Sequence, residues 1–258
     1  WLSTVDKALD ILELFSDTRP SLGLSEAARQ LDRDKATTLR YLTSLESKGF
    51  IEQDPLTRSY HLGPSLVRLA MIREATYPVN KAARNILKKL VEDSGETAHL
   101  SHFNHDSLTQ IAIEETAYRG TRVYMDPAEK LTLHATASGI AYLSQCSDDV
   151  VDRMLSVEIQ QHTAATIIVP DDVKKLVQRA RLDGFSVMTG TFEADICGIA
   201  APVFGPSGAV CGAVAVATPV TRTSGPVIEN IRVHVIEAAH RVSKHYGAKR
   251  LTDDEAAE

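Results

Sequence analysis

Apolar residues between Leu24 and Leu62 recur first at helical spacing and then in two short runs, with polar turns between them. From Leu24 to Leu31, Ser25 is placed to cap, Glu26 falls in the first turn, and Ala27, Ala28 and Leu31 form an apolar side. Asp32 and Arg33 make a turn, and Asp34 caps a second helix from Lys35 to Lys48, which lacks Gly and Pro and stops at Gly49. At about 100° per residue its packing side is Leu39, Leu42 and Leu45; Thr37, Arg40, Tyr41, Ser44, Ser47 and Lys48 lie opposite. Phe50 to Gln53 and Arg58 to Leu62 then flank Asp54-Pro55-Leu56-Thr57, which predicts a hairpin with Arg58 near its tip.

Gly63-Pro64 closes the hairpin and opens a helix through Ala75, whose Leu66-Val67-Arg68-Leu69-Ala70-Met71-Ile72 core is too apolar to stand alone. Tyr77-Pro78 breaks the chain before an amphipathic helix with Ala83, Ile86, Leu87, Leu90 and Val91 as its buried stripe. The pattern then changes to strands at Ala98–Phe103 and Ser107–Glu114, followed by helices at Ser138–Gln145, Asp149–Val157 and Asp171–Leu182. Strands return at Phe185–Met188, Ile196–Phe204 and Val210–Ala217, the last two joined by Gly205-Pro206-Ser207-Gly208. A closing helix from Pro226 buries Ile231, Val235, Ala238 and Val242, and Leu251 to Glu258 reads as an acidic, disordered tail. Strands following one another with helices at the flanks predict an α+β fold.

Two helices, a turn and a hairpin in this order form a winged helix-turn-helix, which places the second helix in a DNA groove. The chain is acidic overall, with 28 Lys and Arg against 34 Asp and Glu. Affinity for DNA therefore comes from a local patch: Arg33, Lys35, Arg40, Lys48 and Arg58, joined by Thr37, Thr38, Tyr41 and Ser44 on the reading helix. Arg40 is the expected base reader, with Lys35 and Arg58 on phosphates.

A chain of 258 residues, 43% hydrophobic, can bury a second core beyond the first sixty-odd positions. No segment is long and apolar enough to cross a membrane and no export signal is visible, so a cytoplasmic protein is expected, although a start at Trp1 suggests that an upstream arm is missing. Cys146, Cys197 and Cys211 are odd in number and lack metal-ligand spacing, which predicts reduced thiols and no disulfide framework. His102 and His105 have H-x-x-H spacing, but on a strand and its loop they point to opposite faces, and no metal or other cofactor is expected. No nucleophile elbow, phosphate loop or carboxylate pair appears, so no catalytic residue is assigned.

Lys35-Ala36-Thr37-Thr38-Leu39-Arg40 and Lys48-Gly49-Phe50-Ile51-Glu52-Gln53-Asp54-Pro55, continuing to Tyr60-His61-Leu62-Gly63, carry a family resemblance together with Leu133-His134-Ala135-Thr136-Ala137-Ser138-Gly139 and Gly198-Ile199-Ala200-Ala201-Pro202-Val203-Phe204. In that order and spacing the chain resembles an IclR-family transcriptional regulator over nearly its whole length. The resemblance implies a winged helix-turn-helix domain over 1–63, a linker helix over 64–77, a GAF-like antiparallel-sheet effector domain over 78–250 and the tail over 251–258. It also implies a homodimer or homotetramer on double-stranded operator DNA, acting as repressor or activator under a small-molecule effector, often a carboxylic acid.

The implied pocket departs from the small-keto-acid pattern, because the matching positions are Met188, Gly198, Ala215 and Ala217, the usual Lys is Ile140, and Thr191 replaces an acid that returns as Glu193. A bulkier, more apolar effector is expected, such as an aromatic acid, its body against Met188, Phe192, Ile199, Ala215 and Ala217. Its carboxylate is expected at the helix start formed by Ala137, Ser138 and Gly139. His134, Thr136, Glu193, Cys197 and Gly198 complete the candidate set. Three alternatives stay open: Thr136 or Ser138 merely caps that helix, His134 is a structural histidine, and the apolar residues are ordinary core. The competing function is a small-molecule enzyme or thiol redox sensor on the same fold, with Cys197 as its reactive group.

Overall fold

The computed structural model describes residues 4–15, 19–76, 79–117, 120–126, 129–157 and 159–248, and the chain divides into two compact units, Trp1–Pro78 and Val79–Glu258. The expected break at Tyr77-Pro78, the acidic tail and Trp1 lie outside the described residues.

The first unit contains α1 (Thr4–Leu12), β1 (Ser21–Leu22), α2 (Leu24–Gln30), α3 (Lys35–Ser47), β2 (Ile51–Gln53), β3 (Tyr60–Leu62) and α4 (Pro64–Thr76). Two of these, α1 and β1, were not anticipated. β1 is a two-residue strand that pairs antiparallel with β3, giving a three-stranded wing in the order β1-β3-β2. Ile11, Leu22, Ala27, Leu42, Leu45, Ile51 and Tyr60 meet in one core, so α1 and both wing strands are tied to the helix pair by apolar packing. The residue capping α2 is Gly23, not Ser25, and no side chain serves as the cap.

The joint between the wing and α4 is tight. Gly63 N donates to Phe50 O at 2.7 Å, Ser65 N to Gly49 O at 3.0 Å and Ser65 Oγ to Lys48 O at 2.7 Å. A Cβ on Gly63 would stand 2.4 Å from Gly49 O, so only glycine permits this approach.

The second unit contains α5 (Val79–Ser94), β4 (Thr97–Asn104), β5 (Ser107–Glu114), β6 (Lys130–Thr132), α6 (Ala137–Leu143), α7 (Asp148–Leu155), α8 (Pro170–Asp183), β7 (Ser186–Thr189), β8 (Ile196–Phe204), β9 (Val210–Pro219) and α9 (Gly225–His245). Its six strands form one antiparallel sheet in the order β6-β5-β4-β9-β8-β7. Because strand side chains alternate, the sheet serves two cores. Cys197, Ile199, Ala201 and Val203 of β8 join Leu87, Leu90, Val235 and Val242 of α5 and α9 on one face. Ala200, with Met188, Ala213 and Ala215, joins Ile140, Leu143, Val151 and Val177 of α6, α7 and α8 on the other.

Candidate functional site

The recognition helix is built as its sequence demands. Asp34 caps α3, its carboxylate accepting from Thr37 N at 2.8 Å, and these hydrogen bonds hold the carboxyl below its ordinary pKa. Gly49, with φ +70°, ends the run where an L side chain would be strained. The buried stripe, however, is Thr38, Leu42 and Leu45, while Leu39 is 43% exposed. Relative to the expected Leu39 face, the helix is turned by about 35°. Thr38, whose Oγ1 donates to Asp34 O at 2.9 Å, is therefore withdrawn from the DNA-facing set.

Arg33, expected on the DNA-facing patch, does not belong to it either. Its guanidinium donates to Lys7 O at 2.7 Å and pairs with Asp10 Oδ2 at 2.6 Å, and its side chain is only 14% exposed. It fastens α1 to the helix-turn-helix and does not face outward. The turned helix centres Arg40, Thr43 and Ser47 on its exposed side, with Ser44 beside them and its Oγ hydrogen-bonded to Arg40 O. Thr43 was missed because the Leu39 stripe placed it off-centre. Lys35 and Lys48 are exposed at the helix ends, Thr37 and Tyr41 are half-buried at its flank, and Arg58 is exposed on the wing with φ +60°. In the wing turn, Asp54 Oδ1 accepts from Leu56 N and Thr57 N.

The second unit holds a cavity of about 560 Å3, counting its open mouth. β4 contributes His99, the segment after β5 contributes Val123, Met125 and Glu129, and β6 contributes Leu131. The start of α6 brings Ala135, Thr136, Ala137 and Ser138; β7 and the following turn bring Met188, Thr191, Phe192 and Glu193. Ile196, Gly198, Ala215, Val216 and Ala217 of β8 and β9 complete the wall. Of the residues expected around an effector, the cavity gathers Thr136, Ala137, Ser138, Met188, Phe192, Glu193, Gly198, Ala215 and Ala217.

Four expected residues lie elsewhere, each for a physical reason. Cys197 and Ile199 belong to the α5/α9 core, because period-two alternation along β8 sends them to the face opposite Gly198. Gly139 packs against the main chain of Leu133, where an added Cβ would stand 2.3 Å from the carbonyl oxygen. His134 lies outside the wall: its Nε2 meets Gln160 O at 2.8 Å, and its ring stacks with His162, which in turn packs on Phe192. Burial lowers the pKa of His134 despite that hydrogen bond.

Thr136 caps α6, accepting from Gly139 N at 3.0 Å while its Oγ1 donates to Thr132 O at 2.8 Å. One donor of the helix start is thus already engaged. Thr191 Oγ1 donates to Ala135 O at 2.7 Å and Ser186 Oγ to Ala137 O at 2.6 Å, fixing the same segment from the β7 side. Residues 120–126 are held by Thr97 Oγ1 donating to Val123 O at 3.1 Å, Gln110 Nε2 to Asp126 O at 3.2 Å, and Arg222 to Thr121 O. Arg222 also makes a two-pronged pair with Glu96, at 2.8 and 2.7 Å.

The charged wall residues are Glu129 and Glu193, both held above the ordinary glutamate pKa, mainly by burial and then by neighbouring carboxylates. His99 was missed, since nothing in its strand pattern distinguishes a cavity residue from a core one. It is 5% exposed, its Nε2 lies 3.2 Å from Ser138 Oγ, and its Nδ1 has no hydrogen-bond partner. Burial depresses its pKa to about 4.

Of the chemistry weighed against binding, the Cys197 thiol is fully buried and burial raises its pKa, the opposite of what a reactive thiolate needs. His102 packs edge-on against Tyr246, the residue that follows α9, while His105 occupies the exposed β4–β5 turn. No helix among the described residues is long and apolar enough to cross a membrane.

The family model for the IclR helix-turn-helix domain matches residues 4–55, and that for the bacterial transcriptional regulator IclR C-terminal domain matches residues 75–244. The HTH-type transcriptional regulator BhcR of Paracoccus denitrificans is 29% identical, over 94% of this chain and 86% of the relative. An IclR transcriptional regulator structure from Silicibacter sp. TM1040 is 36% identical over 96% of this chain and 97% of that one, with a TM-score of 0.74. An IclR homologue from Microbacterium hydrocarbonoxydans, complexed with 4-hydroxybenzoate, shares the fold at 21% identity, 95% and 99% coverage and a TM-score of 0.57. Winged reading helix, antiparallel sheet unit and both family models agree: the chain belongs to the IclR family of transcriptional regulators, in which operator binding is modulated by small-molecule effectors.

Proposed function

We propose that this chain regulates transcription by binding, not by catalysis: the exposed side of α3 reads operator DNA, and the cavity of the second unit takes the effector. The observation that carries this reading is the pairing, in one chain, of a capped helix whose exposed side presents Arg40, Thr43, Ser44 and Ser47 with a separate apolar cavity. Arg40 reads a base edge; Lys35, Lys48 and Arg58 contact phosphates. The effector is a small acid with an aromatic or otherwise apolar body, matched by Met125, Leu131, Met188, Phe192 and Ile196.

Two copies act together, so that paired reading helices meet successive major grooves about 34 Å apart. The exposed apolar side chains of α4, Val67, Leu69, Met71 and Ile72, support its use in holding copies together. Effector binding then shifts the population between spacings that fit the operator and spacings that do not.

A mobility-shift titration on the DNA upstream of the gene tests the reading. Arg40→Ala should weaken binding by about 1 to 3 kcal/mol and relax preference at one base pair, whereas Lys35→Ala should weaken all sequences alike and flatten the salt dependence. Unchanged affinity in Arg40→Ala overturns the assignment.

A further inference from the structure

The polar groups of the cavity wall are unevenly distributed, and their charge narrows the way in which it can hold an acid. Among the described residues neither Lys nor Arg contributes to the wall, while Glu129 and Glu193 do. A bare carboxylate entering such a space would meet half-buried Glu129 and exposed Glu193 with no Lys or Arg counter-charge from the described wall. At the start of helix α6 one first-turn donor, Gly139 N, is already given to Thr136.

One wall residue can supply positive charge. His99 stands on the cavity face of β4, between Ile113 of β5 and Ala215 of β9 in register, with Ser138 of α6 against its Nε2. The titratable groups sharing the described wall with it are Glu129 from the segment after β5 and Glu193 from the β7–β8 turn. Its Nδ1 is buried without a partner, a state that costs free energy until something bonds to it.

We propose that His99 is the anchoring residue for the effector's acid group, which it binds as an imidazolium–carboxylate pair formed by uptake of one proton from solvent. The inference rests on the reading of this cavity as the effector site. The balance is simple: a neutral imidazole and a carboxylate enter, one solvent proton adds to the ring, and the bound pair carries no net charge. Burial keeps the ring neutral at ordinary pH before the acid arrives, and the arriving anion reverses that preference. The effector class that follows is a monocarboxylic acid. A dicarboxylate would leave one charge uncompensated beside the glutamates.

The test is calorimetry on the full chain with benzoate and 4-hydroxybenzoate, and with benzamide as the uncharged counterpart, each at one pH in two buffers of different ionisation enthalpy. The expected result is uptake of about one proton per acid bound and none for the amide, with acid affinity tightening from about pH 8 to about pH 6. His99→Gln should abolish the uptake and weaken acid binding by about tenfold while changing amide binding little. Acid binding without proton uptake, or with full strength in His99→Gln, overturns the role of His99 and leaves the cavity as the effector site. Absence of binding by both acids and the amide to the unaltered chain overturns the cavity reading itself. The buffer comparison needs no substitution, so misfolding of the variant would not shield the proposal.

Discussion

Arg33 and Arg40 stand seven positions apart and do opposite work. Arg33 is turned inward onto Lys7 O and Asp10, while Arg40 is exposed on the reading side of α3. Arg33→Ala should therefore lower the melting temperature of the first unit, by the equivalent of about 1 to 3 kcal/mol, since a charge-assisted contact is lost and Asp10 is left unpaired. Arg40→Ala should leave melting unchanged; calorimetric scans of the two variants check both statements. Composition could not separate them, because the partner of Arg33 lies in a helix that the apolar pattern did not mark. His99 adds a pH prediction. Its folded pKa of about 4 lies below the ordinary 6.5, so the unfolded chain binds the extra proton first. Its contribution is fully present above about pH 6.5 and is lost as pH falls toward about 4, by at most about 3 kcal/mol. Burial also lowers His102, His134 and His162, so their contributions have the same sign. Melting of the second unit at a series of pH values, with His99→Gln flattening the profile, checks this.

Elements with strong apolar period were legible in the sequence: α3, α9 and the β4–β5 and β8–β9 pairs fall close to their expected spans, and α5 buries its expected stripe. Short pieces were not. β1 and β6 are two and three residues long, and each exists because a neighbouring strand offers it main-chain partners, a nonlocal fact that no local pattern records. The rotation of α3 was hidden for a related reason. Thr38 has a polar side chain but satisfies it on Asp34 O, so it can replace Leu39 in the buried stripe. At α6 the close approach of Gly139 to Leu133 leads to a mutational expectation. Gly139→Ala would drive a methyl into a carbonyl oxygen, displacing α6 from the sheet and destabilising the second unit by about 2 kcal/mol or more. Thermal melting measures the loss, and loss of effector binding in the fraction still folded would show that the cavity wall moved with the helix.

Over the whole chain, acidity and DNA binding coexist because charge is divided between the units. The first 78 residues hold ten Lys and Arg against eleven Asp and Glu, so most of the net charge of −6 belongs to the second. Operator affinity should fall steeply with salt, and removing Lys35 and Arg58 together should reduce the slope of log affinity against log salt by about 2. A fluorescence-anisotropy titration at several salt concentrations gives that slope, and an unchanged value would remove both residues from the phosphate contacts. The change from helical to strand period after Ser94 was legible in the sequence; cavity membership was legible only in part. Strand alternation assigns Cys197 and Ile199 to one core and Gly198 to the cavity, yet motif similarity alone had grouped all three.

The three hydrogen bonds by which Gly63 and Ser65 hold the end of the reading helix leave no slack at that corner. α4 and α3 are therefore clamped like the two arms of a crank. A tilt of α4 at that corner should carry into the surface that presents Arg40. Ser65→Ala would remove the one side-chain bond of the three and keep the two main-chain bonds, so it should weaken the corner without altering either arm.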